Sequence, residues 1–431
     1  MLYFSNLEQL VAHKPTAIPY LAGYLSSPAL VELDGLSWLI IWIVASTSIL
    51  LTLSTIGTRK FVTFTILAAA FVSCTILLTA INNILLFFAL WELAATICWA
   101  IAKSSLRTFN TVLGPLATSW IGSLGSVAML VMVILLIIQS GTLSTADLNT
   151  TTPGLVATLL VVGISLKSLG ILSAAWFHSR ERVFASANAF LAALGIIVVG
   201  LYPYIKITRV VLDSQSGWKD GVIWAALAVT LLFAFAGLRE RDLYRICSYT
   251  AFGQFFIFIA SFTVNNQYAL QGALLGLIGY IAGIISLFLV AGLVNQANGS
   301  RFVRQEQALI SQQPTLAVLF LVSAMSLIGL PPLVGFATKA LLTMGLFERN
   351  QLYSILWIGI WSVSAISILR AFQLTFVSVP KLQAGRVVPR ATLNWPTLIP
   401  IGIAVAFLLS ASFWQQDILL WLKPVMMIMS G

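Results

Sequence analysis

Charge is scarce in this chain. Only 8% of its 431 residues are Asp, Glu, Lys or Arg, and it holds two histidines and three cysteines. These shortages exclude several chemistries. There is no cysteine cluster for iron and sulfur, no histidine and carboxylate set for a metal, and no glycine loop that would cradle a phosphate. Cys74, Cys98 and Cys247 each fall in an apolar stretch, where a thiol packs as a small hydrophobe rather than in a disulfide framework. The first 35 residues lack the run of basic start, apolar stretch and small-residue cleavage site, so no signal peptide is expected. No cofactor or redox centre of the chain's own is expected either.

Apolar surface is what the chain has. Hydrophobic residues make up 59% and the mean hydropathy is +0.99, far beyond what a soluble domain buries in one core. Stretches of spanning length recur at 36–56, 61–80, 83–102, 115–139, 154–177, 184–205, 221–238, 246–263, 269–294, 315–347, 351–378 and 397–422. The expectation is an all-α polytopic membrane protein of about 12 transmembrane helices.

A formal net charge of +10 would point to nucleic acid in a soluble protein. In a membrane chain it reports orientation, so no nucleic-acid partner is expected. With 36–56 as the first span, one side receives fourteen Lys and Arg, among them Arg59, Lys60, Arg180, Arg239, Arg245, Arg301 and Arg386. The other side receives Lys14, Lys206, Arg209, Lys219, Arg349 and Lys423. The richer face is expected to be cytoplasmic, with both termini on the far side. Three cations of the 23 remain inside spans: Lys167, Lys339 and Arg370.

Two spans read as broken. A straight helix over Leu316 to Phe347 would be about 48 Å long, against a hydrocarbon core of about 30 Å. Pro331 and Pro332, flanked by Gly329 and Gly335, interrupt it. Irregular backbone at membrane depth is tolerated only where protein or water covers it, so an internal polar site is expected beside Lys339. The span holding Lys167 carries a weaker interruption at Gly163 and Gly170. Broken, lysine-bearing helices at matching places point to two inverted five-helix repeats. The division is an N-terminal segment 1–35, a first span 36–60, repeats at 61–210 and 211–380, and a loop with a C-terminal helix at 381–431.

One acid lies deep in a predicted helix, Glu92 in "NNILLFFALWELAATICWAIA". A charge there costs about 2.5–3.5 kcal/mol on insertion scales, so an oppositely charged partner is expected, and Lys167 is the natural one. Burial disfavours the charged form of either group and pairing favours it, so an arriving proton or cation can tip the pair. A clasp that holds two helices together and moves nothing accounts for the same residues.

Six stretches carry a resemblance. "VELDGLSWLI" (31–40), "NILLFFALWEL" (83–93), "SLKSLGILSAAWF" (165–177), "DLYRICSYTAFGQ" (242–254), "GALLGLIGYIAGIISLFLVAG" (272–292) and "SLIGLPPLVGFATKALL" (326–342) follow one another in order. Together they resemble the antiporter-like membrane subunits of complex I, NDH-1, membrane-bound hydrogenases and Mrp sodium/proton antiporters, with the last stretch most similar to Mrp D-type and proton-pumping NDH subunits. The resemblance implies ion translocation through Glu92, Lys167 and Lys339. It also implies partner membrane subunits, which would carry any quinone site or redox centre, and a bacterial inner or thylakoid membrane as the location. The chain departs from the family where Ile284 and Val198 occupy positions that carry lysines in relatives, and where Gly276 and Tyr280 stand for histidines. A lateral relay would need water, Tyr280 or Ser286 as a bridge; His178 and Gln254 complete the candidate ion path.

Other polar residues have structural readings. His178 reads as interfacial, Arg370 as snorkelling to the surface, Pro203 as a helix end or kink, and Trp218, Trp224, Trp395, Trp414 and Trp421 as interfacial anchors. Three functions stay open: a proton-translocating subunit of an NADH- or ferredoxin-quinone oxidoreductase, an Mrp-like sodium/proton antiporter subunit, and a degenerate scaffold or membrane partner in an inorganic-carbon uptake complex.

Overall fold

A computed structural model of the protein describes residues 33–106, 113–173, 182–212, 217–298, 309–377 and 395–430. The helices run in order α1 (Gly35–Ser54), α2 (Phe61–Ala80), α3 (Ile84–Ser105), α4 (Leu113–Ser140), α5 (Pro153–Leu172), α6 (Arg182–Val210) and α7 (Lys219–Arg239). They continue as α8 (Leu243–Val264), α9 (Gln267–Asn298), α10 (Pro314–Ile328), α11 (Val334–Arg349), α12 (Gln351–Phe372), α13 (Trp395–Phe413) and α14 (Gln415–Ser430). Among the described residues there is no strand, only an isolated bridge between Asn83 and Ser144. Eleven of these helices are long and apolar enough to cross a membrane. The shorter α10 and α11 follow each other across the break at Gly329–Leu333.

Polar groups at the membrane boundary set where helices begin. Asp34 caps α1 by accepting from the Ser37 amide at 2.8 Å. Asn83 caps α3, Asp242 caps α8 and Asn350 caps α12 in the same way, each filling amides the helix cannot pair internally. Pro153 and Pro314 open α5 and α10, where a missing N–H does no harm. α10 stops at Gly329, whose φ of +79° places it in the left-handed region open to glycine.

Burial separates inner helices from outer ones. The central stretches of α6 and α9 are 100% and 94% buried, and that of α8 is 78% buried, whereas the corresponding stretch of α4 is only 28% buried. α6, α8 and α9 are therefore the interior of the bundle, with the others facing outward around them.

The structure relocates several sequence expectations. α5 runs unbroken through Gly163 and Gly170 and ends after Leu172, inside the predicted span 154–177. Gly163 is a packing residue: a Cβ there would lie 3.2 Å from the Gly125 carbonyl of α4, and one on Gly125 would lie 2.6 Å from the Gly163 carbonyl. Small residues let the two backbones touch. Residues 174–181, with His178, lie outside the described residues.

Pro203 neither ends nor sharply interrupts α6, because the helix widens to five-residue turns over Leu191–Leu201 and continues past the proline. The predicted last span 397–422 divides at Trp414 into α13 and α14. Arg370 is half-buried, and its guanidinium donates to the carbonyls of Leu238 and Glu240, covering the C-terminal end of α7. Trp218 is buried, whereas Trp395, Trp414 and Trp421 are exposed as expected of anchors.

Candidate functional site

Glu92 and Lys167 meet. α3 brings Glu92 to α5, and the Lys167 ammonium donates to Glu92 Oε2 at 2.7 Å and to Ser126 Oγ of α4 at 2.5 Å. The same Nζ stands 5.2 Å from the centroid of the Trp91 ring, a cation–π contact. The side chains are 12% and 30% exposed for Lys167 and Glu92, so the pair is neither sealed nor open. The other carboxylate oxygen, Glu92 Oε1, is buried without a hydrogen-bond partner. That oxygen is free to carry a proton while Oε2 holds the lysine.

The close approach of α4 and α5 makes this geometry possible. A Cβ on Gly125 would lie 2.7 Å from the Lys167 amide, and one on Gly122 would lie 3.9 Å from its Cδ. Glycine at 125 admits the α5 backbone, and the lysine lies along α4 toward Ser126. Ser126 was not among the residues expected at the site. Its only signal in the sequence is position, one residue after Gly125 in a run of small residues.

Lys339 occupies a second site of different character. It lies one turn past the break, is 3% exposed, and donates to Gln254 Oε1 of α8 at 2.7 Å. Its Nζ is 5.1 Å from the centroid of Trp357 of α12. A small cavity of about 20 Å³ adjoins it, and no carboxylate is among the lining residues. Lys167 thus has an anionic partner, whereas Lys339 has an amide oxygen and an aromatic face.

The other path candidates are engaged elsewhere. Tyr280 OH donates to the Ala192 carbonyl in the widened part of α6 at 2.6 Å, and Ser286 bonds Ser323 of α10. Ile284 and Val198 are fully buried among apolar side chains. Of the path candidates, the structure brings Gln254 to Lys339 and places Tyr280 and Ser286 in helix-to-helix contacts. Among the described residues no group of three His, Cys, Asp or Glu side chains converges to hold a metal.

This arrangement defines a class: a helical membrane protein with two internal lysine sites, one on a continuous helix and one beyond a helix break. The family described as "NADH:quinone oxidoreductase/Mrp antiporter, TM" matches residues 81–366, and the chain belongs to it. It is 26% identical over 249 residues to the D-type subunit of the Na(+)/H(+) antiporter of Alkalihalophilus pseudofirmus, covering 55% of this chain and 50% of that protein. It is also 26% identical over 286 residues to the N-type subunit of the NADH-quinone oxidoreductase of Desulforudis audaxviator, covering 63% and 57%.

The chain therefore spans about half the length of the curated relatives it matches. In fold it is similar to a chain of the Mrp complex from Dietzia sp. at a TM-score of 0.78 and 15% identity, covering 93% of this chain and 86% of that one. A chain of respiratory complex I from Thermus thermophilus matches with a TM-score of 0.78 at 19% identity, covering 99% and 91%. Both relatives are named as subunits, and this chain is an integral membrane protein of the same family.

Proposed function

We propose that the chain translocates protons, or exchanges sodium for protons, as one membrane subunit of a larger complex, with Glu92, Lys167 and Lys339 as the switching groups. The observation that carries this reading is the Lys167 ammonium held between the Glu92 carboxylate and the Ser126 hydroxyl. A proton arriving at the unpartnered Oε1 of Glu92 neutralises the carboxylate and removes the counter-charge of the lysine. The ammonium then releases its proton or turns to another acceptor. A sodium ion near the carboxylate acts in the same sense. The arginine-rich face is cytoplasmic in this reading, and both termini lie on the far side.

Lys167→Met keeps most of the side-chain volume and deletes the charge. Ion transport by the intact complex in reconstituted vesicles should fall by roughly a hundredfold, the range typical of a lost proton-transfer group, while the subunit still assembles. Unchanged transport would remove the pair from the mechanism.

One observation favours a second reading. The family's lysine positions at Val198 and Ile284 are buried and apolar, which supports a scaffold or a membrane partner for inorganic-carbon uptake that couples ions differently. Copurifying proteins separate the readings: quinone-reductase subunits support a redox-driven complex, small Mrp subunits an antiporter, and a soluble zinc protein resembling carbonic anhydrase the second reading.

A further inference from the structure

Lys167 and Lys339 both carry enclosed amines, but only one has a counter-charge. The ion pairs among the described residues join Lys167 to Glu92, Arg209 to Asp34, Arg245 to Glu240 and Asp242, and Arg349 to Asp220. Lys339 is in none of them. Its side chain donates to the uncharged Gln254 Oε1, and its Nζ stands over the Trp357 ring. A charge enclosed at membrane depth is ordinarily paired, because a neutral hydrogen-bond acceptor does not replace the hydration that burial removes.

A second donor in the same wall lacks an acceptor. Trp357 is buried, and its Nε1, which can only donate, has no hydrogen-bond partner. Trp357, Lys339 and Gln254 line one cavity of about 20 Å³. That volume is above the roughly 10–15 Å³ that a single water needs, and it suits one monatomic ion rather than a tetrahedral oxyanion. A water molecule would accept from these donors and bring no charge. A small anion does both, accepting from the amine and the indole while it compensates the lysine.

The surroundings have the sign that such an ion requires. At one end the cavity is lined by Gly237 of α7, Thr250 of α8 and Ser367 of α12. These residues flank the α7–α8 turn, which carries Arg239, Arg241 and Arg245, and Arg370 binds the Leu238 and Glu240 carbonyls there. Four guanidinium groups thus stand against two carboxylates, those of Glu240 and Asp242. An excess of positive charge beside a low-dielectric cavity favours an anion in it over a cation.

We propose that the cavity beside Lys339 is a halide site, where a chloride ion accepts hydrogen bonds from the Lys339 ammonium and the Trp357 indole. The chloride is to Lys339 what the Glu92 carboxylate is to Lys167. The site goes beyond the transport role proposed for Lys339 and does not depend on it.

Binding of radiolabelled chloride to the purified, complete complex reads the site, because ions held by other subunits cancel between parent and variant. The parent should bind one chloride more per complex than Lys339→Met, with half-saturation below the roughly 0.15 M of physiological ionic strength. Trp357→Phe keeps an aromatic ring and deletes the N–H, so half-saturation should rise about tenfold, the size of one charge-assisted hydrogen bond. Bromide should displace the label, and sulfate at equal ionic strength should not. Equal binding by parent and Lys339→Met, no change in Trp357→Phe, or displacement by sulfate overturns the proposal. So does saturation only far above physiological salt, the mark of an adventitious ion only.

Crystals of the parent complex soaked in bromide decide the matter without any variant. Anomalous density within hydrogen-bond reach of Lys339 Nζ supports the site, and its absence overturns it. Lys339→Met is also measured for transport in reconstituted vesicles. Unchanged transport with the extra chloride lost ends the transport role of Lys339 while the site stands. Lost transport with undiminished chloride binding ends the site while the transport role stands.

Discussion

The indole N–H of Trp91 donates to the Val199 carbonyl at 2.7 Å, and Val199 is the residue four before Pro203. Proline has no N–H, so the carbonyl four residues earlier loses its ordinary helical donor. The tryptophan supplies one from α3. In the second half Trp361 of α12 donates to the carbonyl of Ile328, the last residue of α10, which has no helical donor because the helix stops at Gly329. Each tryptophan stands near a lysine site, Trp91 under the Lys167 ammonium and Trp361 in the wall of the Lys339 cavity. Helix carbonyls without their own donors are thus kept saturated in an apolar medium while the lysines stay beside them.

Trp91→Phe should keep the aromatic volume and leave the Val199 carbonyl without a donor. Thermal unfolding of the purified complex in detergent should show a loss of about 1–3 kcal/mol, the penalty of a buried unsatisfied acceptor. Pro203→Ala restores an N–H within reach of α6's own carbonyls. The same Trp91→Phe change should therefore cost less in that background, and a double-mutant cycle reads the difference. Additive effects would show that the indole and the proline act independently.

The ion pair gives a second cycle. Removing one partner of a largely enclosed pair leaves the other charge uncompensated. Glu92→Gln and Lys167→Met should each destabilise the subunit by about 1–3 kcal/mol, less than for a sealed pair because Glu92 is 30% exposed. The double variant should recover stability but not transport, if both groups are switching groups. Thermal inactivation and vesicle transport measured on the same three variants check both statements.

Much of this architecture was legible in the sequence, and the illegible part has a physical pattern. Spanning length and apolarity located eleven of the twelve expected spans as single helices, because the bilayer fixes both, and the twelfth divides into α10 and α11. The break at Pro331–Pro332 was legible since two adjacent prolines cannot continue a straight helix. The Glu92–Lys167 contact followed from the cost of leaving either charge alone in a membrane. What one sequence could not settle was whether a glycine breaks a helix or admits a neighbour, because that depends on the facing chain; Gly163 faces Gly125 and admits it. Pro203 was visible, but neither the widened turns beside it nor the Trp91 indole that reaches the Val199 carbonyl from more than a hundred residues earlier has a local signature. Arg370 was visible too, and its acceptors, carbonyls at the end of α7, have no side-chain signature.

Asp34 ties the start of α1 to the end of α6. It accepts from the Ser37 amide and hydroxyl, each at 2.8 Å, and from Arg209 at 2.6 Å. Burial pushes the Asp34 carboxyl up, but the Ser37 and Arg209 hydrogen bonds and the guanidinium charge outweigh it and hold the group below its ordinary value of 3.8. A carboxylate depressed on folding stabilises the fold above its unfolded pKa, and this stabilisation is lost as pH falls through the folded value. Asp34→Asn keeps an acceptor for the helix cap and loses the charge. At neutral pH it should melt slightly below the parent, by no more than about 1 kcal/mol for so exposed a pair. The gap should close as the pH is lowered below 3.8. A gap independent of pH would assign the effect to capping alone.

Ile284→Lys tests whether a missing family lysine interrupts a path. Ile284 is fully buried in the interior helix α9, and Ser286, half a turn further on, is already bonded to Ser323. A lysine there meets apolar neighbours, so assembly should weaken by about 2.5–3.5 kcal/mol with no gain in transport. A rise in transport by the assembled variant would show that a chain of polar groups reaches this point and stops for want of a lysine.

Gly335 tests how tightly the break is built. An added Cβ would fall on the Ser326 carbonyl, and the nearby Gly329 has Lys339 Cγ 2.6 Å from where its own Cβ would be. Backbone atoms at the break cannot step aside without moving Lys339 away from Gln254, since α11 starts at Val334 and carries the lysine in its second turn. Gly335→Ala should therefore abolish or sharply reduce assembled subunit in membranes. Gly359→Ala and Gly402→Ala meet nothing within 4 Å and should accumulate at the parent level or slightly above it, as alanine favours helix by up to about 1 kcal/mol over glycine. The comparison needs only membrane abundance of three variants. If Gly335→Ala accumulates like the two controls, the break has slack, and the position of Lys339 is set by its contacts with Gln254 and Trp357 rather than by the backbone that precedes it.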